Sequence, residues 1–344
     1  MLTDKELKNL KQELDECKRP LFIFDDDPDG LASFLLFYRY KKEGKGVIVK
    51  TQPKITKDNF SERVSSYEPD KVFVLDVPVV EQDFIDDVKV PIVWVDHHDP
   101  LKRENIKYVN PRLNDPGASY PTSLICYNTV KGDLWIAMVG IVGDWNLPKD
   151  LALKFNKEYP KLLPKNVDKP EKALFDTELG RLIKIISFAL KGETNEVIKC
   201  IKIMTRINDP YEILEQKTSQ GKFIYKKFDN INKNYEELLR NAIKKKDKSK
   251  LLKFIYPGNR MSFTKDLSNE LLYRYPSKII LIGREKNGEY KCSLRSSKII
   301  LKDVVKKALI GLNGYGGGHE HACGCCLRTE EDFNEFVRRI KEEI

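Results

Sequence analysis

The stretch Leu21-Phe22-Ile23-Phe24-Asp25-Asp26-Asp27-Pro28-Asp29-Gly30 decides the reading of this chain. Four apolar residues run straight into four carboxylates in five positions, closed by a glycine. A short, continuous apolar run bounded by a turn signal is the pattern of a strand buried on both faces of a parallel sheet. Crowded carboxylates repel one another unless a cation neutralises them, so an acidic cluster placed abruptly after a buried strand points to metal binding rather than to a solvated turn. Gly30 lets that turn close tightly.

The same grammar recurs downstream. Gly46-Val47-Ile48-Val49, Val72-Phe73-Val74-Leu75 and Ile92-Val93-Trp94-Val95 are further buried-strand candidates. Helical stretches at 31–42 and 61–67 lie between them, and a short charged helix over 5–17 precedes them. Alternating strands and helices predict an α/β fold with a doubly wound parallel sheet, whose function sits at the carboxyl ends of its strands. Leu75 runs into Asp76, and Val95 into Asp96-His97-His98-Asp99. Gly143-Asp144 closes the apolar run 134–142, which reads as buried core. A carboxylate in so apolar a setting as Asp76 costs several kcal/mol to bury unless it is paired or metal-bound. Adjacent His97 and His98 would point to opposite faces within a strand, yet both can face one cleft where the chain turns at a strand end. Carboxylates and imidazoles together suit harder divalent ions, and these elements supply donors for two metals roughly 3.5–4 Å apart.

The rest of the chain reads as mostly helical from 119 to 205, a long polar connection over 207–247, and then a smaller α/β region. That region carries strands at 278–283, 290–295 and 319–327 and helices at 301–310 and 330–344, the last opened by the cap signal Thr329-Glu330-Glu331-Asp332. The domains are therefore set at 1–206, a helical connector at 207–250, and 251–344. Ser293-Leu294-Arg295-Ser296 ends a strand with the better bidentate phosphate ligand. Gly316-Gly317-Gly318-His319 exposes backbone N–H groups that suit close approach of a phosphate. His319, His321, Cys323 and Cys325 would share one face of a single strand, a zinc-like set, but ligands on one straight strand diverge. The cysteines read instead as small buried apolar residues.

Composition frames these motifs. The 344 residues are 41% hydrophobic and 33% charged, with 61 Lys and Arg against 52 Asp and Glu, a formal net charge of +9 that favours polyanionic partners. All 4 histidines fall inside the two motif regions, which argues against incidental core histidines. The 7 cysteines are odd in number and, with no signal-peptide core, fit a reduced, cytoplasmic location. No segment reaches the roughly 18 apolar residues of a membrane span.

In order and spacing, Asp25-x-Asp27-x-Asp29-Gly30, Asp76, Asp96-His97-His98, Gly143-Asp144, Ser293-Leu294-Arg295-Ser296 and Gly316-Gly317-Gly318-His319 resemble the DHH phosphoesterase superfamily, in its RecJ-like and nanoRNase branch. The resemblance covers nearly the whole chain. It implies a catalytic DHH domain, a helical connector and a DHH-associated substrate domain with the cleft between. It implies two divalent metals, Mn²⁺ usually and Mg²⁺ as the alternative, shared by Asp25, Asp27, Asp29, Asp76, His97 and Asp144, with Asp76 bridging. His98 would lie at the reacting phosphate and Asp96 would orient the site behind it, as the catalytic pair. Ser293, Arg295, Gly316, Gly317, Gly318 and His319 would hold substrate phosphate. The implied activity is a single-strand-specific exonuclease or oligoribonuclease acting on nucleic acid or short oligonucleotides, with replication or repair proteins as partners. No counterpart of the OB-fold domain of bacterial RecJ is expected after the glycine-rich element, and Pro28 resembles the nanoRNase form of the first motif; the expectation is therefore of shorter substrates. Rival readings are a phosphatase of bisphosphorylated nucleosides, a cyclic-dinucleotide phosphodiesterase and, from another class, a replication scaffold.

Overall fold

The computed structural model describes residues 2–50, 54–258 and 261–344. The chain divides into two compact units, Met1–Phe228 and Asp229–Ile344.

In the first unit, α1 (Asp4–Glu16) leads into β1 (Pro20–Asp25), α2 (Pro28–Lys41), β2 (Lys45–Val49), β3 (Lys54–Ile55), α3 (Lys57–Tyr67), β4 (Lys71–Leu75), β5 (Val79–Val80), α4 (Gln82–Asp87), β6 (Ile92–Val95) and β7 (Lys107–Val109). The main sheet has the order β2-β1-β4-β6-β7, and every pairing in it is parallel. β1, β4 and β6 are central and almost wholly buried, so their unbroken apolar runs are what a sheet covered on both faces requires. The chain steps from β1 outward to β2, then crosses to the other side of β1 for β4. That reversal is the switch point where doubly wound sheets open a crevice at their carboxyl ends. Asp25, Asp76 and Asp96 each stand at such an end.

Six helices follow: α5 (Thr122–Val130), α6 (Leu134–Gly143), α7 (Lys149–Glu158), α8 (Pro170–Asp176), α9 (Glu178–Ala189) and α10 (Thr194–Met204). The apolar run at 134–142 is thus a helix, buried on every side except its last residue, and it packs against α2 and α5. The polar stretch after it resolves into α11 (Pro210–Leu214) and the 26-residue α12 (Ser219–Lys244).

The second unit holds a mixed sheet of order β11-β12-β10-β9-β8. Its elements are β8 (Leu251–Pro257), α13 (Thr264–Arg274), β9 (Ile279–Lys286), β10 (Glu289–Arg295), α14 (Leu301–Ala308), β11 (Gly314–His319), β12 (Ala322–Leu327) and α15 (Glu330–Glu342). β8 runs parallel to β9, and the other pairings are antiparallel. One sheet face buries Leu281, Cys292, Leu294, Cys323 and Cys325 against α14 and α15. α13 packs on β9 and β10.

One sequence expectation fails here. Residues 319–327 do not form a single strand. Gly314–His319 is itself a strand, paired with Ala322–Leu327 through a two-residue turn at Glu320 and His321. The zinc-like set therefore does not share one strand: His319 stands opposite Ala322, His321 sits in the turn, and Cys323 and Cys325 point into the core. Three glycines in a row lack the β-branched residues that normally announce a strand. Here they serve as an edge that must approach β12 closely: a Cβ on Gly318, whose φ is +144°, would lie 2.3 Å from the Ala322 carbonyl oxygen.

Candidate active site

Asp25 closes β1, and Asp27 caps α2, its carboxylate accepting from the Asp29 and Gly30 amides at 3.0 and 3.2 Å. Pro28 occupies the first helical position, where its missing N–H costs nothing. Gly30 is required sterically, because a Cβ there would meet the Asp25 carbonyl oxygen at 2.6 Å. The abrupt strand-to-acid transition is therefore a strand end passing directly into a helix N-terminus, and the sequence-predicted helix starts three residues earlier than expected.

Asp29 is fully buried. Its two oxygens accept from the backbone N–H groups of Thr122 and Ser123 at 2.7 and 3.0 Å, and the Ser123 hydroxyl donates to it as well. These are the free amides at the start of α5, so a helix N-terminus holds the carboxylate. The Thr122 hydroxyl reaches Asp76, donating to Oδ1 at 2.9 Å. Sequence reasoning missed Thr122 and Ser123; the Pro121-Thr122-Ser123 run at a helix start was the available signal.

Asp76 is 2% exposed and adopts φ +61°, the left-handed region that non-glycine residues occupy at a cost of about 1 kcal/mol or more. Its amide donates to the Val95 carbonyl at 2.9 Å, which ties the bend to the neighbouring strand. Burial, and then the charges of Asp29, Asp27, Asp144 and Asp25, hold its carboxyl well above the usual range. Burial likewise raises Asp29, with His97 opposing.

His97 Nε2 lies 3.4 Å from Asp76 Oδ1, and its Nδ1 lies 3.7 Å from Asp144 Oδ2. Burial keeps this imidazole below its ordinary pKa, in the neutral form a metal ligand needs. The two histidine rings sit 4.5 Å apart, so both face one region, as a chain turning at a strand end allows. Asp96 differs from the other acids. Wholly buried, it accepts from the His98 Nδ1 at 2.7 Å and the His98 amide at 3.1 Å, and from the Tyr108 hydroxyl at 3.2 Å. Burial disfavours protonation of His98, but the hydrogen bond to Asp96 and its charge outweigh it, and the His98 pKa is raised. Asp96 is thus engaged by His98 and Tyr108 and, among the described residues, belongs to none of the potential ligand groups. Tyr108 stacks on Trp94 with ring centroids 4.0 Å apart and comes from β7, an edge strand too short and too exposed to be read from sequence.

Potential ligand atoms converge in three groups, each within 4.8 Å: Asp76, His97 and His98; Asp29, His97 and Asp144; Asp25, Asp27 and Asp76. Asp76 and His97 each belong to two of them. Among the described residues these three are the only such groups.

The second unit gathers its expected residues on one sheet face. Register places Arg295 opposite Ala322, and Ala322 opposite His319; Ser293 stands opposite Gly324, and Gly324 opposite Gly317. Cross-strand partners share a face, so Ser293, Arg295, Gly317 and His319 line one surface about 10 Å across. Gly316 and Gly318 alternate to the core side but keep exposed backbone on the β11 edge. The Arg295 guanidinium donates to Asn269 Oδ1 at 2.7 Å and to the Leu294 and Cys323 carbonyls at 2.8 and 3.3 Å. Burial lowers its pKa, and no carboxylate lies within ion-pair distance among the described residues.

An acidic and imidazole cluster at the switch point of a parallel sheet defines an α/β protein with a candidate divalent-metal centre. The family models are more particular: the DHH family N-terminal domain matches residues 21–153, and the DHHA1 domain matches residues 247–344. The chain belongs to the DHH superfamily and has a RecJ-like fold. RecJ from Thermus thermophilus in complex with Mn²⁺ superposes with a TM-score of 0.69 at 16% identity, over 99% of this chain and 55% of that one. The chain thus spans about half the length of that relative. An exonuclease RecJ bound to manganese gives 0.63 at 17% identity, over 99% and 95%. A pGpG-specific phosphodiesterase from Vibrio gives 0.54 at 13% identity, over 95% and 98%. At these identities the likeness is one of fold. No curated protein matches the sequence. Among the described residues no helix is long and apolar enough to cross a membrane.

The family implies divalent cations, and the donor set fits them. Carboxylates that raise one another's pKa around a neutral imidazole are hard ligands lacking sufficient positive charge, which Mn²⁺ or Mg²⁺ would supply.

Proposed function

We propose that this protein is a metal-dependent phosphodiesterase, a single-strand-specific exonuclease or oligoribonuclease that hydrolyses short oligonucleotides. The observation that carries the reading is the sharing of Asp76 and His97 between overlapping ligand groups, the arrangement two adjacent cations need. Asp25, Asp27, Asp29, Asp76, His97 and Asp144 would hold two ions, Mn²⁺ foremost and Mg²⁺ as the alternative. When bound, such ions acidify a water and neutralise charge on a phosphoryl group. Asp96 fixes His98 through Nδ1 and its charge favours the imidazolium, whose free Nε2–H would donate to a phosphoryl oxygen. Arg295, with Ser293, His319 and the backbone of Gly316, Gly317 and Gly318, would bind a substrate phosphate. A cation held half-buried without a counter-ion gains most from an arriving anion. The basic balance of the chain favours the polyanion.

The test is digestion of end-labelled RNA and DNA oligonucleotides of several lengths with and without Mn²⁺, beside a bisphosphorylated nucleoside and cyclic dinucleotides. Metal-dependent release of mononucleotides is the expected result. Absence of release from every oligonucleotide overturns the reading, and turnover of the small molecules alone would replace it with a phosphatase or a cyclic-dinucleotide enzyme.

A further inference from the structure

The first unit contains a second concavity that shares no residue with the acidic cluster. It encloses about 860 Å³ along β2 and is walled by α2, α3 and α10. That volume lies within the roughly 300–1,000 Å³ of small-molecule sites. Five consecutive residues, Gly44 to Ile48, line it. Among the described residues β2 is the end strand of the sheet and pairs only with β1, so its other edge presents backbone donors and acceptors in alternation with no strand partner among them. Phe34 and Tyr38, 5.4 Å apart, lie against it. Gly46 permits this approach, because a Cβ there would meet the Phe34 ring at 2.7 Å. Ile198, 38% exposed, adds apolar surface from α10.

The rim is cationic. Lys45, Arg63, Lys202 and Arg206 surround the cavity against a single acid, Glu62. Lys45 and Arg63 lie over the rings of Tyr67 and Phe60 at 5.3 and 5.2 Å, and among the described residues none of the four cations has a carboxylate within ion-pair distance. A few residues away the pattern reverses: Lys54 pairs with Glu81 and Lys57 with Asp87, each at 2.6 Å. Positive charge is therefore left unneutralised specifically around this cavity. An apolar, partly aromatic floor, an open strand edge that can read donors and acceptors, and a ring of unpaired cations together describe complementarity to a flat heteroaromatic ring bearing a phosphate.

We propose that this cavity is a non-catalytic binding site for a nucleoside monophosphate, its base against β2 and the Phe34–Tyr38 wall and its phosphate on Arg63, Lys202 and Arg206. The site does not depend on the hydrolytic reading above, since it uses none of the same residues.

The experiment is equilibrium dialysis of labelled adenosine 5′-monophosphate against the full chain in chelator-treated buffer, so that the acidic cluster contributes no metal-held nucleotide. Wild type should bind, and adenosine or inorganic phosphate alone should compete poorly. An Arg63→Glu, Lys202→Glu double variant should weaken binding about tenfold or more, as loss of charge-assisted contacts predicts. Both side chains are exposed, so the melting temperature and oligonucleotide digestion should stay at wild-type levels. Photolabelling with the 8-azido analogue should mark peptides spanning 34–66 or 194–206. No binding by wild type, equal binding by the double variant, or labelling confined to other peptides overturns the proposal. Failure of the digestion assay leaves it intact.

Discussion

On the proposed function, the acidic cluster of the first unit and the glycine-rich sheet of the second would be opposite solutions to handling phosphate. The first buries like charges. Asp29 and Asp76 are nearly inaccessible, their carboxyls are pushed upward by burial and by each other, and hydrogen bonds from α5 fix them in place. The second exposes bare backbone along β11 and holds one half-buried guanidinium, hydrogen-bonded to Asn269 of α13, without a carboxylate partner among the described residues. Where charge must be concentrated, the protein supplies a rigid enclosure; where an anion must be grasped, it removes side chains instead. Mutual repulsion among the buried carboxylates should make the cluster destabilising when no cation is bound, whereas the glycine-rich face should carry little folding cost. Substitutions should therefore act on stability and activity in opposite senses in the first unit, and on affinity alone in the second.

The largest test of that contrast is Asp76→Asn, which keeps shape and tolerates the left-handed backbone. Hydrolysis should fall on the order of a thousandfold or more, since a ligand common to two groups is lost. Metal-free Asp76→Asn should melt at or above the wild-type temperature, because a repelled buried carboxylate is gone. The stabilisation on adding Mn²⁺, read from the rise in melting temperature, should shrink from the roughly 2.7 kcal/mol expected at a hundredfold excess over Kd. A variant that melts far below wild type without metal would remove the contrast.

Arg295→Ala should be next. KM for oligonucleotides should rise about tenfold to a hundredfold, with a smaller change in kcat, from loss of a charge-assisted contact of about 1.5–3 kcal/mol. Arg295→Lys should restore little, because the Asn269 and carbonyl contacts use the guanidinium fork. Steady-state kinetics of the three proteins decide it.

The smallest effect sharpens the comparison most. A Cβ on Gly317 meets nothing within 4 Å, so Gly317→Ala should leave stability within about 0.5 kcal/mol of wild type. If substrate phosphate approaches that backbone, KM should still rise a few-fold. Unchanged KM would mean that the phosphate sits elsewhere on the face.

Sequence legibility followed the same division. The central strands and their terminal acids could be read because burial on both faces leaves an unbroken apolar run, and because several such runs ending in carboxylates point together to one cleft, although each acid alone could have been a turn or helix cap, as Asp27 also is. Thr122 and Ser123 were invisible as partners of Asp29, since they lie 93 and 94 residues away and act through amides every residue carries. β7 was too short to register, and its contribution, Tyr108 on Asp96, is a single hydroxyl. In the second unit the glycine-rich element was located correctly but given the wrong backbone, because glycine carries no strand propensity and β11 is held by its register with β12 rather than by its own side chains.

Gly140, in the middle of the apolar helix α6, sets a tolerance for the whole centre. A Cβ there would sit 2.5 Å from the Ser123 hydroxyl and 2.7 Å from Ala32 Cβ, and Ser123 is what grips Asp29. The clearance between three helices, smaller than one methyl group, thus fixes where an acid on a neighbouring helix comes to rest. A residue with no chemistry of its own governs the alignment of those that have it.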